Sequence, residues 1–188
     1  MRFLYLLFFT IIVISCKQEK SKIKSFKTDI ISAIIEIPAG TNIKYEFDYE
    51  SKSFEAEIIN GKKRTVNYLP YPGNYGYIKN TFMDPSKGGD GDALDVLVIS
   101  SSINQGSEIK IEPVGILKLE DKEKEDHKII AIPLNENMFF LKDSIPISVK
   151  NIIKTWFCNY KGRGKIKFLA WGNKNSAMNE IKKWELIK

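Results

Sequence analysis

Histidine is nearly absent from this 188-residue chain. His127 is the only one, and there are two cysteines, Cys16 and Cys158. A zinc centre built from several imidazoles or thiolates is thereby excluded. There is no arginine-rich helix and no internal repeat, and the net charge of +6 comes mainly from lysines spread along the chain. Nucleic-acid binding therefore has charge alone in its favour, and no nucleic-acid partner is expected. What is present is a composition of 43% hydrophobic and 28% charged residues, which fits one globular domain with a real core.

The first twenty residues, MRFLYLLFFTIIVISCKQEK, stand apart. One basic residue precedes an apolar run from Phe3 to Ile14, too short to span a bilayer comfortably and of the length of a signal-peptide core. The run ends in Val13-Ile14-Ser15-Cys16, which resembles a bacterial lipobox, where the cysteine is lipidated and becomes the new N-terminus. An ordinary signal peptide and an uncleaved anchor are the alternatives. The expectation is a signal peptide at 1–15, a lipidated Cys16 with a polar, lysine-rich tether at 16–29, and a folded domain at 30–188. The protein would then be exported and lipid-anchored to the membrane, on the periplasmic side of the inner or outer membrane. With Cys16 acylated, Cys158 is left without a disulfide partner, and its apolar neighbours suit a small buried residue better than a nucleophile.

From Ile30 the pattern is β. Between Ile43 and Tyr49, Ile43, Tyr45, Phe47 and Tyr49 alternate with Lys44, Glu46 and Asp48. Runs from Phe54 to Ile59 and from Lys62 to Tyr68 flank Asn60-Gly61, a hairpin signal. Further strands are expected at Asp95 to Ser100, Glu108 to Leu119, His127 to Pro133 and Lys165 to Trp171. Helical spacing joins Val149, Ile152, Ile153, Trp156, Phe157 and Tyr160, and again Ala177, Ile181 and Trp184 after a cap at Asn175. Short strands followed by late helices predict a mainly β fold with α, a small barrel with helices packed outside.

The chemistry concentrates in GGDGDALDVLVIS, residues 88–100, where Asp90, Asp92 and Asp95 crowd against an apolar strand. Two carboxylates about 4 Å apart repel by roughly 4 kcal/mol at an effective dielectric near 20, so a cation is expected among them. The glycines allow a tight turn, and an all-oxygen set suits Mg²⁺. An EF-hand would need glycine at loop position six and glutamate at position twelve; counting from Asp90, those places hold Asp95 and Ser101. A solvated acidic turn is the bland alternative. A second acidic cluster, LEDKEKEDHK at 119–128, reads by itself as a charged hairpin tip. Lys44 and Glu46 share the polar face of their strand, with Glu36 upstream. The segment from Tyr68 to Tyr77 reads as an aromatic, glycine-punctuated loop.

Taken in order, EIPAGTNIKYEFD, YPGNYGYI, DGDALDVLV, the pair Asp121 and Asp126 with Lys128, and Asn159-Tyr160-Lys161 resemble the family I soluble inorganic pyrophosphatases, from about residue 30 to the C-terminus. The DGDALD segment fits that family's D-x-D-x-x-D signature. The resemblance implies a distorted five-stranded OB-like barrel with flanking helices, and metal-dependent hydrolysis of inorganic pyrophosphate to two phosphates with several Mg²⁺ ions. Asp90, Asp95 and Asp126 would hold one activating metal, with Asp95 shared by a second. Asp121 and Asp126 would take substrate-borne metal, and Glu36 a further ion. Asp92 resembles the carboxylate that acts as general base or orients the attacking water. Lys44, Lys128, Tyr160 and Lys161 would bind phosphate oxygens, Tyr75 would support the site, and Glu46 would sit behind it as a partner. A homo-oligomer, commonly a hexamer in bacterial members, is also implied.

One position departs from the family pattern. The family arginine falls eight residues before the tyrosine of YPGNYG, where this chain has Lys63, with Arg64 one residue later. A one-residue shift turns a strand side chain to the other face, and a bulge beyond Arg64 would correct it. Arg64 is favoured because a guanidinium engages phosphate bidentately. Two other functions compete: a non-catalytic lipoprotein that binds metal or phosphate, and a hydrolase of another phosphoanhydride.

Overall fold

The computed structural model describes residues 30–48, 50–134, 136, 141 and 144–186. The expected signal peptide, Cys16, the tether and Tyr49 lie outside the described residues. The strands are β1 (Ile31–Ile37), β2 (Tyr45–Asp48), β3 (Ser53–Ala56), β4 (Ile58–Ile59), β5 (Lys62–Lys63), β6 (Asn74–Ile78), β7 (Asp95–Val98), β8 (Glu108–Asp121), β9 (Lys124–Glu125), β10 (Lys128–Pro133) and β11 (Ile166–Asn173). Two helices, α1 (Ile147–Asn159) and α2 (Lys174–Trp184), flank β11 in sequence.

Five strands close into a ring in the order β1-β6-β7-β10-β8 and back to β1, as the expected five-stranded architecture requires. All contacts in the ring are antiparallel except β7 with β10, which is parallel. Closure depends on the length of β8. Its first residues, Glu108 to Ile111, pair with β1, and Gly115 to Asp121 pair with β11. The ring strands bury both faces, which is why VLV and IIAI read as unbroken apolar runs. Leu97 and Ile130 pack with Trp156 and Phe157 of α1. Val96, Val98, Ile129 and Ala131 pack with Ala177, Ile181 and Trp184 of α2. Full burial of side chains such as these contributes roughly 1.5–3 kcal/mol each.

The segment expected as a loop from Tyr68 to Tyr77 instead supplies β6, in the middle of the ring. Gly76 permits this: a Cβ there would overlap the carbonyl oxygen of Ile34 on β1. Asn74, fully buried, pins the strand's start. Its side-chain oxygen accepts from the amides of Ala39 (3.0 Å) and Ile103 (2.8 Å), and its amide donates to Ser101 O at 2.9 Å.

The expected hairpin is present but subdivided. Asn60 and Gly61 both take positive φ, 51° and 72°, as a two-residue turn of this kind demands. The arm before the turn first pairs β3 with β2 and then β4 with β5. The change of partner falls at Glu57, whose amide donates to Lys44 O and whose carbonyl accepts from the Arg64 amide. The cap of α2 is Asn173, two residues earlier than expected, with its side chain accepting from Ser176 N at 3.0 Å.

Candidate active site

β7 and β10 run parallel side by side, so both begin at the same edge of the ring. Register places Ile129 opposite Val96. One residue earlier on each strand, Lys128 and Asp95 face each other at that edge. Lys128 is 1% exposed. Its Nζ donates to Asp95 Oδ2 and, at 2.5 Å, to Asp126 Oδ1, and it stands 5.9 Å from the Tyr75 ring centroid. Burial opposes the charge of Lys128, but Asp95 and Asp126 outweigh it and hold the ammonium well above its ordinary pKa. Asp126 Oδ2 is buried and has no hydrogen-bond partner among the described residues.

On one side of this lysine lies a cavity of about 220 Å³ lined by Glu36, Lys44, Glu46, Asp92 and Asp95, among others. Lys44, just before β2, and Glu46 on it both line this cleft, as does Phe47. Lys44 Nζ donates to Glu46 Oε1 at 2.7 Å. Burial lowers the Lys44 pKa, but Glu46, Asp95 and Glu36 raise it further, and the net shift is upward. Asp92 follows Gly91, whose φ of 99° makes the turn, and its amide donates to Asp90 Oδ1 at 3.0 Å. Desolvation, with Asp95 and other acidic neighbours adding repulsion, raises both Asp90 and Asp92. Asp90 itself lines neither this cavity nor the next.

On the other side is a larger cavity, about 730 Å³, with a cationic wall of Lys63, Arg64, Lys161 and Lys165 together with Asp121 and Tyr160. Lys161 Nζ donates to Asp121 Oδ2 at 2.7 Å. Arg64 Nη1 pairs with Glu57 Oε2 at 2.6 Å. Arg64 is half-buried and Lys63 exposed, yet both border the same space. Lys128 links the two groups: Asp95, which it binds, lines the smaller cavity, and Asp126, which it also binds, is near enough to Lys161 of the larger one to act on its charge.

Sequence reasoning missed the supports of this site. Tyr160 stacks on Trp156, centroids 4.7 Å apart and planes 11° from parallel, while Trp156 Nε1 donates to Leu69 O at 2.8 Å. Tyr71 packs on Trp156, Tyr75 and Tyr160. The four-residue spacing of Trp156 and Tyr160 was a signal for the first contact; nothing local signalled the second. Lys165, which the sequence did not single out, also enters the wall, beside Lys63, the alternative to Arg64.

Glu36 is 9% exposed and accepts from the Phe47 amide at 3.1 Å. Burial first, and Asp95 second, push it from 4.5 up to about 7, against the pull of Lys44. A carboxylate raised in the folded state binds extra protons there. Its contribution is therefore complete below pH 4.5 and lost as pH rises through about 7. In metal-free protein, unfolding free energy is expected to fall over that window by up to on the order of 3 kcal/mol from this group. Urea unfolding from pH 4.5 to 8 checks it: Glu36→Gln should flatten the slope, and an unchanged slope would remove Glu36 as its source.

Comparison with known proteins bears on this constellation. The family model for inorganic pyrophosphatase matches residues 33–186. An inorganic pyrophosphatase of Sulfolobus acidocaldarius is 37% identical over 162 residues, 81% of this chain and 88% of the relative. One from Pseudomonas aeruginosa is 38% identical over 170 residues, 85% of this chain and 91% of the relative. Among solved structures, the Helicobacter pylori inorganic pyrophosphatase superposes with a TM-score of 0.70 at 32% identity, over 83% of this chain and 91% of that one.

Proposed function

The chain belongs to the inorganic pyrophosphatase family and hydrolyses inorganic pyrophosphate to two phosphates, and from that premise we propose how its residues divide the work, with Mg²⁺ as the metal. The observation that carries the assignment is buried Lys128 held between Asp95 and Asp126 where the acidic cleft meets the cationic wall. The donor set fits a hard divalent ion: it is carboxylate throughout, and Asp126 Oδ2 is a buried acceptor with no partner among the described residues. Asp90, Asp95 and Asp126 would hold one ion, and Asp95 would also serve a second. Asp121 and Asp126 would take metal that arrives with substrate, and Glu36 would take a further ion. Bound metal supplies a water of lowered pKa and screens the phosphorus from the negative charge around it.

Asp92 stands at the mouth of the acidic cleft, where it accepts the proton of the attacking water. Lys44, Lys128, Arg64, Lys161 and the Tyr160 hydroxyl hold the phosphate oxygens and stabilise charge on the leaving phosphate. Tyr75, buried with its ring centroid 5.9 Å from the Lys128 Nζ, supports the site. Glu46 orients Lys44. Phosphate release measured with pyrophosphate and with ATP, at varied Mg²⁺, tests the reading. Pyrophosphate should be preferred and excess EDTA should abolish turnover. No phosphate release would favour a binding lipoprotein, and a preference for ATP another phosphoanhydride.

Arg64→Ala is expected to lower kcat/KM for pyrophosphate by about 10²-fold, as loss of a half-buried bidentate donor does, and Lys63→Ala by less than about threefold. The argument is placement: Arg64 is half-buried and lines the larger cavity with Tyr160 and Lys161, whereas Lys63, which borders the same space, is exposed. A greater loss from Lys63→Ala would show that Lys63 is the phosphate ligand.

The N-terminal pattern supports export and lipid anchoring through Cys16. Cys16→Ser should change processing and move the protein out of the detergent-soluble membrane fraction while leaving turnover intact, because every assigned residue lies at or beyond Glu36. Wild-type protein found wholly in the cytoplasm with residues 1–15 attached would overturn the localisation alone.

A further inference from the structure

His127 lies between Asp126 and Lys128 in sequence but takes no part in the site they form. It is 5% exposed, and among the described residues its Nδ1 makes no close hydrogen bond, standing 3.4 Å from Glu180 Oε1 of α2. Glu125, at the end of β9, completes a group: one ligating atom from each of Glu125, His127 and Glu180 lies within 4.8 Å of the others. We propose that these three residues form a second metal site, distinct from the carboxylate cleft and selective for a borderline divalent ion of the Zn²⁺ kind.

The spacing and the donors point the same way. Ligands about 2.0–2.1 Å from a tetrahedral zinc stand about 3.3–3.4 Å from one another, and His127 and Glu180 already have that separation. One imidazole with two carboxylates suits zinc, whereas Mg²⁺ prefers oxygen and keeps its waters. Glu180 is oriented for the purpose by the Trp184 indole, which donates to its Oε1 at 2.8 Å. Half-buried Glu125 marks the open side, where an ion enters and a water completes the coordination.

Lys183 now supplies the positive charge. Its Nζ is 2.6 Å from Glu125 Oε2 and 3.7 Å from Glu180 Oε1. Its side chain is 38% exposed and its Nζ already lies 4.2 Å from the Trp184 ring centroid, so it has somewhere to go when an ion takes its place. An ammonium that competes with the ion sets a clear sign: removing it must tighten zinc binding.

Because His127 is the only histidine, its ring nitrogens give an unambiguous NMR signal. Zn²⁺ is titrated into the full chain with Mg²⁺ in excess, so that the carboxylate cleft is filled by the harder ion. One equivalent of Zn²⁺ should shift the His127 Nδ1 resonance to saturation. Lys183→Ala should lower the zinc Kd about tenfold, and Glu125→Gln, a substitution outside the core, should raise it about tenfold or more. Ring resonances unmoved by Zn²⁺, or a Kd the same in Lys183→Ala and Glu125→Gln as in wild type, would overturn the site. The signal is local to His127, so this outcome is independent of whether the cleft hydrolyses pyrophosphate.

Discussion

Lys128→Met is expected to destabilise the metal-free protein by about 3–5 kcal/mol, a fall in Tm on the order of 10 °C, and to cut pyrophosphate turnover at least about 10²-fold. Methionine keeps most of the volume of the side chain, so the loss is electrostatic. Lys128 is buried and shared by Asp95 and Asp126. Without it two carboxylates face each other with no counter-charge, and removing one partner of a buried pair costs far more than the pair contributes. The same reasoning predicts a rescue. Mg²⁺ binding restores positive charge among the carboxylates, so it should raise Tm more in the variant than in wild type. Calorimetry with and without Mg²⁺ decides. A metal-free variant that melts with wild type would mean that Lys128 is not the charge that holds the two aspartates together.

Asp92→Asn and Asp95→Asn should fail in different ways. Asp92 lies at the mouth of the cleft, its amide on Asp90 and its side chain among the cavity-lining groups, and we assign it to the attacking water. Its amide variant should lose about 10²–10⁴-fold in kcat with little change in Mg²⁺ affinity. Asp95 begins β7 and binds Lys128, so Asp95→Asn should lose both turnover and metal affinity. Metal titrations followed by activity and by calorimetry separate the two. Equal losses of Mg²⁺ affinity in the two variants would leave no separate role for Asp92.

Much of the fold was legible because local pattern and final environment agree. Asn60-Gly61 takes the backbone its residue types favour, and Trp156, Phe157 and Ile153 are buried on the helix face that their spacing marks, although Ile152, joined by the same spacing, is exposed. Where the two disagree, the reading slipped. The segment ending in NYGYI has turn residues and no clean alternation, so it reads as a loop. It becomes β6 because β1 and β7 offer partners on both sides and Gly76 lets the backbones approach. The cap of α2 moved to Asn173 because β11 continues to that residue, and no local propensity records where a strand stops pairing.

The candidate site divides along the same line. By itself the sequence determined which chemistry is available. Asp90, Asp92 and Asp95 crowd together within one turn, the scarcity of histidine and thiol restricts the ligands to carboxylates, and the ordered blocks carry the family. These are properties of residue type and short-range spacing, and they survive in the linear chain. Tertiary structure alone decided how the cluster at 119–128, which by itself reads as a hairpin tip and which the family resemblance assigns to the site, comes to lie beside Asp95. Asp126 and Lys128 reach Asp95 only because β10 lies parallel to β7, more than thirty residues away in sequence, with Ile129 opposite Val96. It also decided that Lys128 is the buried cation between them, and that His127, one residue away, turns its ring to Glu180 on α2. Adjacent side chains of a strand point to opposite faces, and what waits on each face is fixed by the packing of distant elements.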